Sequence, residues 1–206
     1  MAKFEDAFSR TMLHEGDYNN DEDDAGGETY RGISRRYNPS WKGWEVIDDC
    51  KRFDFSLEDC LNMKGNIMDD LVEDFYKDKY WNPFWGDEID NQAIANELFD
   101  TAVNMGIYRA VKFLQQALNY LNRNGTIYSD IVEDGAFGRN TMRAFKSLPK
   151  RDYDVLYKMM NVLQGMHYMN YMSKSPTQEK YARGWFKRVD FEKTDPMDYV
   201  VELNGG

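Results

Sequence analysis

The chain has 206 residues, 42% hydrophobic and 30% charged, which suffices for one sizeable core or for two lobes sharing a core. With 36 acidic residues against 26 lysines and arginines it carries a net charge of -10, which argues against a nucleic-acid partner because phosphate binding needs basic surface. Its 2 cysteines are too few for a disulfide framework, and its 2 histidines form no HExxH or clustered Cys/His pattern, so neither zinc chemistry nor any other cofactor is expected.

At the N-terminus Phe4, Ala7, Phe8, Thr11, Met12 and Glu15 recur at steps of three and four, which predicts a helix with these residues on one face. Gly16 can take the left-handed conformation that stops such a helix. A carboxylate ending a helix on its apolar side is partly desolvated, so the Glu15 pKa is expected above the ordinary glutamate value. The neighbouring His14 reads as structural. No apolar run here has the length of a signal sequence or a membrane span, so the protein is expected to be made in the cytoplasm.

An acidic run, Asp21 to Asp24, precedes Gly26-Gly27, where the chain can fold back. It is not an EF-hand loop: with the invariant glycine at Gly26, Ala25 takes the fifth position and Gly32 the twelfth, where an acid is required. The loop at 130–141 fails in the same way. Glu28-Thr29-Tyr30-Arg31 is β-prone and Gly32 leaves room for close approach, which predicts a small irregular hairpin that brings Asp24 to face Glu15.

Residues 35–49, with Asn38-Pro39 and two tryptophans, show no sustained period and read as loop and short turns. Ser56 can cap a helix over 57–64. Residues 66–81 read as amphipathic helix, with Ile67, Leu71 and Phe75 in one row and Met68, Val72 and Tyr76 beside it, ended by Asn82-Pro83. Further helices are expected from Asp90 to a stop at Gly106, through Ala110, Leu114, Leu118 and Leu121, and from Asn140 or Thr141 toward Leu148. Between the last two, residues 122–138 are turn-rich. Over 152–172 the series Leu156, Met159, Met160, Leu163, Met166 and Met169 predicts a long buried helix, its methionines in the core. Cys50 and Cys60 read as reduced packing residues, and residues 194–206 as a loosely held tail.

The pattern Glu15-Gly16-x-Tyr18, then Asp24-x-Gly26-Gly27-x-Thr29-x-x-Gly32-Ile33, resembles glycoside hydrolase family 108, the phage-endolysin type of N-acetylmuramidase. Phe99-Asp100-x-Ala102-x-Asn104-x-Gly106, Leu114-Gln115-x-Ala117-Leu118, Asp134-Gly135-x-x-Gly138-x-x-Thr141 and Gly184-Trp185-x-x-Arg188 look like the family's C-terminal half, often described as peptidoglycan-binding. Family members commonly carry a second glycine where this chain has Asp17, which adds a negative charge beside Glu15.

The resemblance implies a mainly α fold: a lysozyme-like, two-lobed helical domain with a small β-hairpin next to the active site. It implies a catalytic lobe at 1–90, a peptidoglycan-binding-like lobe at 91–193 and a tail at 194–206. The implied reaction is cleavage of peptidoglycan between N-acetylmuramic acid and N-acetylglucosamine, with Glu15 as general acid and Asp24 stabilising the oxocarbenium-like state or activating water. Thr29 would order a water or contact the sugar, and Tyr18, Gly27, Tyr30, Trp81, Asp100 and Asn104 would bind substrate. No metal is expected. The expected partners are peptidoglycan glycan strands and a pore-forming export partner, for a monomer acting on the bacterial cell wall after release. The alternative is a non-catalytic peptidoglycan-binding protein of the secretion-activator type on the same fold.

Overall fold

The computed structural model describes residues 1–12, 18–20, 27–53 and 56–191. The chain forms two compact units, one comprising Phe8–Lys79 and the other Met1–Ala7 together with the chain from Tyr80 onward. Both are mainly helical. Among the described residues no helix is long and apolar enough to cross a membrane.

Helix α1, Phe4–Met12, runs across the boundary between the units. In the Phe8–Lys79 unit, three short strands, β1 (Tyr18–Asn19), β2 (Thr29–Tyr30) and β3 (Ile33–Ser34), form an antiparallel sheet in sequence order. Tyr18 pairs with Tyr30 and Asn19 with Thr29, and Tyr30 pairs with Ile33. Only Arg31 and Gly32 separate β2 from β3, and both have positive φ, 42° and 76°. That is the pattern of a two-residue hairpin turn whose twist matches its strands, so Gly32 serves the turn itself.

The sheet is followed by α2 (Gly43–Cys50), α3 (Leu57–Met63) and α4 (Gly65–Tyr76). Helix α2 lies where the sequence suggested a loop; it buries Gly43, Trp44, Ile47 and Cys50 at near-helical spacing. Ser56 caps α3 as expected, its hydroxyl accepting from the Asp59 N–H at 3.1 Å. In α4 the buried row is Met68, Val72 and Tyr76, while Ile67 is exposed. An aromatic core joins these pieces. Tyr30 stacks on Trp41 at 6.0 Å, Trp41 meets Trp44 edge-on at 5.1 Å, and the Trp41 indole donates to the Leu71 carbonyl at 3.1 Å.

Cys50 and Cys60 form a disulfide, which corrects their reading as reduced packing residues. It staples the last residue of α2 to the middle of α3. The two thiols of this chain meet because the short helices turn back on one another, a tertiary juxtaposition with no local sequence signal.

In the second unit, α5 (Gln92–Met105), α6 (Ile107–Leu121) and α8 (Tyr153–Lys174) pack on one another, with α7 (Arg139–Ser147) against α6. Asn91 caps α5 by accepting from the Ile94 N–H at 3.0 Å, and Gly106, at φ 88°, ends it. Ile94, Leu98, Ala102, Ala110, Leu114, Leu118, Phe145, Leu156 and Met160 are buried. The methionine series of α8 is only partly core: Met160 is buried, but Met166 and Met169 are exposed. After α8 come a 3-10 turn, Pro176–Tyr181, and the short helix α9, Ala182–Phe186.

Candidate active site

The hairpin is held from one side by a charged network. Arg35 donates to Glu28 Oε2 at 2.9 Å and to both carboxylate oxygens of Asp48 on α2, the Nη1 bond being 2.7 Å. Lys51 donates to Glu28 Oε1 at 2.7 Å, and the Tyr18 hydroxyl donates to the same oxygen at 3.2 Å. Burial alone would raise the Glu28 pKa, but hydrogen bonds from Lys51 and Arg35 outweigh it and hold the carboxyl below its ordinary value. Burial and the adjacent Glu28 carboxylate push the Tyr18 phenol up. Glu28 is therefore an ionised anchor, unsuited to donate a proton at neutral pH, and Tyr18 is part of that anchor. Sequence reading passed over Glu28, Arg35, Asp48 and Lys51 because their separations follow no period.

Of the predicted catalytic residues, Thr29 lies in β2, half-buried, its hydroxyl donating to the Gly27 carbonyl at 3.0 Å. Donation leaves the hydroxyl oxygen able to accept, so Thr29 can order a water or a sugar hydroxyl. Glu15 and Asp24 lie outside the described residues. In the chain, Glu15 falls between α1 and β1, and Asp24 between β1 and β2.

Gly27 takes φ 63°, with open space where a Cβ would stand. Tyr30, expected to contact substrate, is buried under Trp41 with the Arg31 guanidinium 5.5 Å from its ring, so it is a core residue. Trp81 is also corrected from cleft lining to core. It is fully buried among Phe4, Phe84 and Phe99, and its indole N–H donates to Asp87 at 2.8 Å, which leaves no face for a sugar. Asp100 pairs with Arg188 at 2.6 Å, and the Asn104 amide donates to the Asp100 carbonyl at 2.8 Å within α5. Tyr18, Gly27, Thr29 and Tyr30 belong to one unit and Trp81, Asp100 and Asn104 to the other. A cavity of about 540 Å³ in the Phe8–Lys79 unit, lined by Tyr37, Trp41, Asp74, Phe75 and Lys79 among others, combines rings with charge and was not anticipated from sequence.

The motifs of the C-terminal half are brought together by hydrogen bonds. The buried Gln115 amide donates to Asp134 at 2.9 Å, to the Ala136 carbonyl at 3.1 Å and to Thr141 at 3.2 Å, and its oxygen accepts from the Gly135 N–H at 2.8 Å. Hydrogen bonds from the Ala136 backbone and from Gln115 hold the Asp134 carboxyl below its ordinary pKa.

Residues 8–106 match the family profile described as Glycosyl hydrolase 108, and residues 109–190 match the one described as Predicted Peptidoglycan domain. No curated protein matches the chain. Among solved structures it is similar to that of Brucella abortus SagA, at 22% identity and a TM-score of 0.59, covering 90% of this chain and 88% of that one. The likeness is one of fold. The chain thus has a mainly α, lysozyme-like fold in which residues 8–106 resemble the glycosyl hydrolase 108 family and residues 109–190 resemble a peptidoglycan domain.

Proposed function

We propose that the protein is a lysozyme-type glycoside hydrolase that cleaves the glycan strand between N-acetylmuramic acid and N-acetylglucosamine. The observation that carries this reading is that the glycosyl hydrolase 108 match spans Glu15, Asp24 and Thr29 together. Glycoside cleavage needs a proton on the leaving oxygen and a second group facing the developing positive charge. Glu15 supplies the proton. Asp24 stabilises the oxocarbenium-like state or activates the attacking water, and Thr29 holds that water through its free acceptor capacity. Glu28, held ionised, is not the acid in this reading; through Arg35 it ties the start of β2, and with it Thr29, to Asp48 of α2.

In this reading residues 1–90 do the chemistry and 91–193 hold the wall, as a monomer. The Cys50–Cys60 disulfide supports action outside the cytoplasm, since thiols in the cytoplasm are kept reduced. In this reading the protein reaches the wall through a pore-forming partner or by release.

Purified cell walls incubated with wild type and Glu15→Gln test the proposal. Wild type should clear turbidity and release new reducing ends of muramic acid. Glu15→Gln should retain binding but lose at least about two powers of ten in rate, roughly 2.7 kcal/mol of barrier. Equal rates would refute Glu15 as the acid. Binding by wild type without any clearing would instead favour a non-catalytic wall-binding protein on the same fold.

A further inference from the structure

The C-terminal end of the described chain differs in charge from the rest. Residues 174–188 contain Lys174, Lys180, Arg183, Lys187 and Arg188 against the single acid Glu179, a net charge of +4, in a protein of net charge -10. Arg188 pairs with Asp100, but none of the other four cations pairs with a carboxylate among the described residues.

The same surface carries a cluster of rings centred on Trp185. Tyr168 stacks on its indole at 5.1 Å and 13°, Tyr181 lies against it at 5.8 Å and Tyr171 at 5.9 Å. Tyr168 is buried and fixes the indole from within, while Tyr171, Tyr181 and Phe186 are 45%, 47% and 41% exposed. The Lys180 ammonium sits 4.9 Å from the centre of the Tyr181 ring, so cation and ring form one surface. Rings with only two side-chain torsions, locked on one another, form a contact surface that loses little entropy when covered.

We propose that this surface, built from the end of α8, the turn Pro176–Tyr181 and α9, docks an anionic glycan, namely the carboxylate-bearing polymer of the cell wall. The inference rests on the peptidoglycan reading above and assigns that contact a place. The apolar C–H face of a pyranose stacks on exposed Tyr181 and Tyr171, and the unpaired cations meet the free carboxylates of the stem peptides. An acidic protein approaching an anionic polymer needs such a locally basic face. Rings and lysines also suit an anionic membrane, but α9 has only five residues, too short for an amphipathic helix that lies in an interface.

The test is sedimentation of the full chain with purified peptidoglycan sacculi, comparing wild type with the triple variant Lys180→Glu, Arg183→Glu, Lys187→Glu and with Tyr181→Ala. Lys180, Arg183 and Lys187 are exposed, so thermal melting of the triple variant should be unchanged, while Tyr181→Ala, which loses a ring against Trp185, should melt slightly lower but stay folded at the assay temperature. At about 50 mM salt, where surface charge is weakly screened, the triple variant should lose at least about tenfold in affinity. Tyr181→Ala should lose affinity at high and low salt alike. Sacculi amidated with glycinamide and a carbodiimide, and so stripped of carboxylate charge, should bind wild type as weakly as native sacculi bind the triple variant. Wild-type affinity in the folded variants would overturn this surface while leaving the hydrolase reading intact. Stronger binding of wild type to phosphatidylglycerol vesicles than to sacculi would overturn the glycan as occupant. A wild-type protein that neither sediments with sacculi nor clears them would end the peptidoglycan reading, and this inference with it.

Discussion

Glu28→Gln should weaken the fold in a way that depends on pH. The carboxylate is 12% exposed and receives Arg35, Lys51 and the Tyr18 hydroxyl at 2.9, 2.7 and 3.2 Å. Glutamine keeps one acceptor oxygen but places an NH2 group against donors. Hydrogen bonds to charged groups are worth roughly 1.5–3 kcal/mol each, and breaking a fully buried ion pair costs about 3–5 kcal/mol. Here the figure must be lowered: Arg35 and Lys51 are 34% and 35% exposed and regain water, and Arg35 keeps Asp48. A loss of about 2–3 kcal/mol is expected at pH 7, which for a chain of this size lowers Tm by roughly 5–10 °C.

The sign of the pH effect follows from the depressed Glu28 pKa. Below the ordinary glutamate value the unfolded chain takes up a proton that the folded chain still refuses, so stability rises with pH in that window. The contribution is complete above the unfolded pKa and is lost as pH falls through the folded one. Urea unfolding of wild type and Glu28→Gln at pH 7, 4 and 3 reads this directly (about these values, all bracketing the ordinary glutamate pKa). The gap between the two proteins should be widest at neutral pH and shrink toward the acid end. A constant gap, or none at pH 7, would refute the anchoring role.

Asp24→Asn should cut wall hydrolysis by roughly two or more powers of ten with an unchanged circular dichroism spectrum, and full activity would remove Asp24 from the mechanism. Thr29→Ala should lose comparable activity while Thr29→Ser, which keeps the hydroxyl, retains most of it; equal losses in a turbidity assay would point to packing of the methyl group instead. Reducing Cys50–Cys60, which are ten residues apart, should lower stability in urea by about 2–3 kcal/mol, and thiol titration of the native protein should find both cysteines oxidised. Gly86→Ala should destabilise by at least about 2–3 kcal/mol in thermal or urea unfolding, because its Cβ would stand 2.2 Å from a Trp81 ring that Phe4, Phe84 and Phe99 hold in place.

Helical periodicity exposed α5, α7 and α8 within a residue or two, and α6 from Ala110 to its end at Leu121, because each of these helices has one face in the core. It failed where burial is set by neighbours. In α4 two adjacent apolar rows compete, and only the packed structure shows that Met68, Val72 and Tyr76 go in while Ile67 stays out. In α8 the outer face carries Val155, Val162, Met166 and Met169, so apolar character all round suggested a deeper burial than exists. Helix α2 was missed because eight residues give barely two turns, and its inward positions include Gly43 and Cys50, which carry little hydrophobic signal.

The site was legible as a motif but not as a division of labour, and packing now separates the two. Ile33 is core, Tyr30 is a stacked core ring, Gly32 makes the β2–β3 turn, and Tyr18 holds Glu28. Asp100 and Arg188, from two separate C-terminal motifs, are spent on each other, as Gln115 is on the Asp134–Ala136 turn and Thr141. A motif residue whose fixed neighbours already use its polar groups has little left for substrate. Among the described motif residues of the N-terminal half, Thr29 stands apart: its hydroxyl makes one bond, to the Gly27 carbonyl, and keeps an acceptor that nothing in the fold requires. Structural need therefore explains most of what made the sequence recognisable, and Thr29 is the described residue whose spare acceptor the proposed mechanism uses.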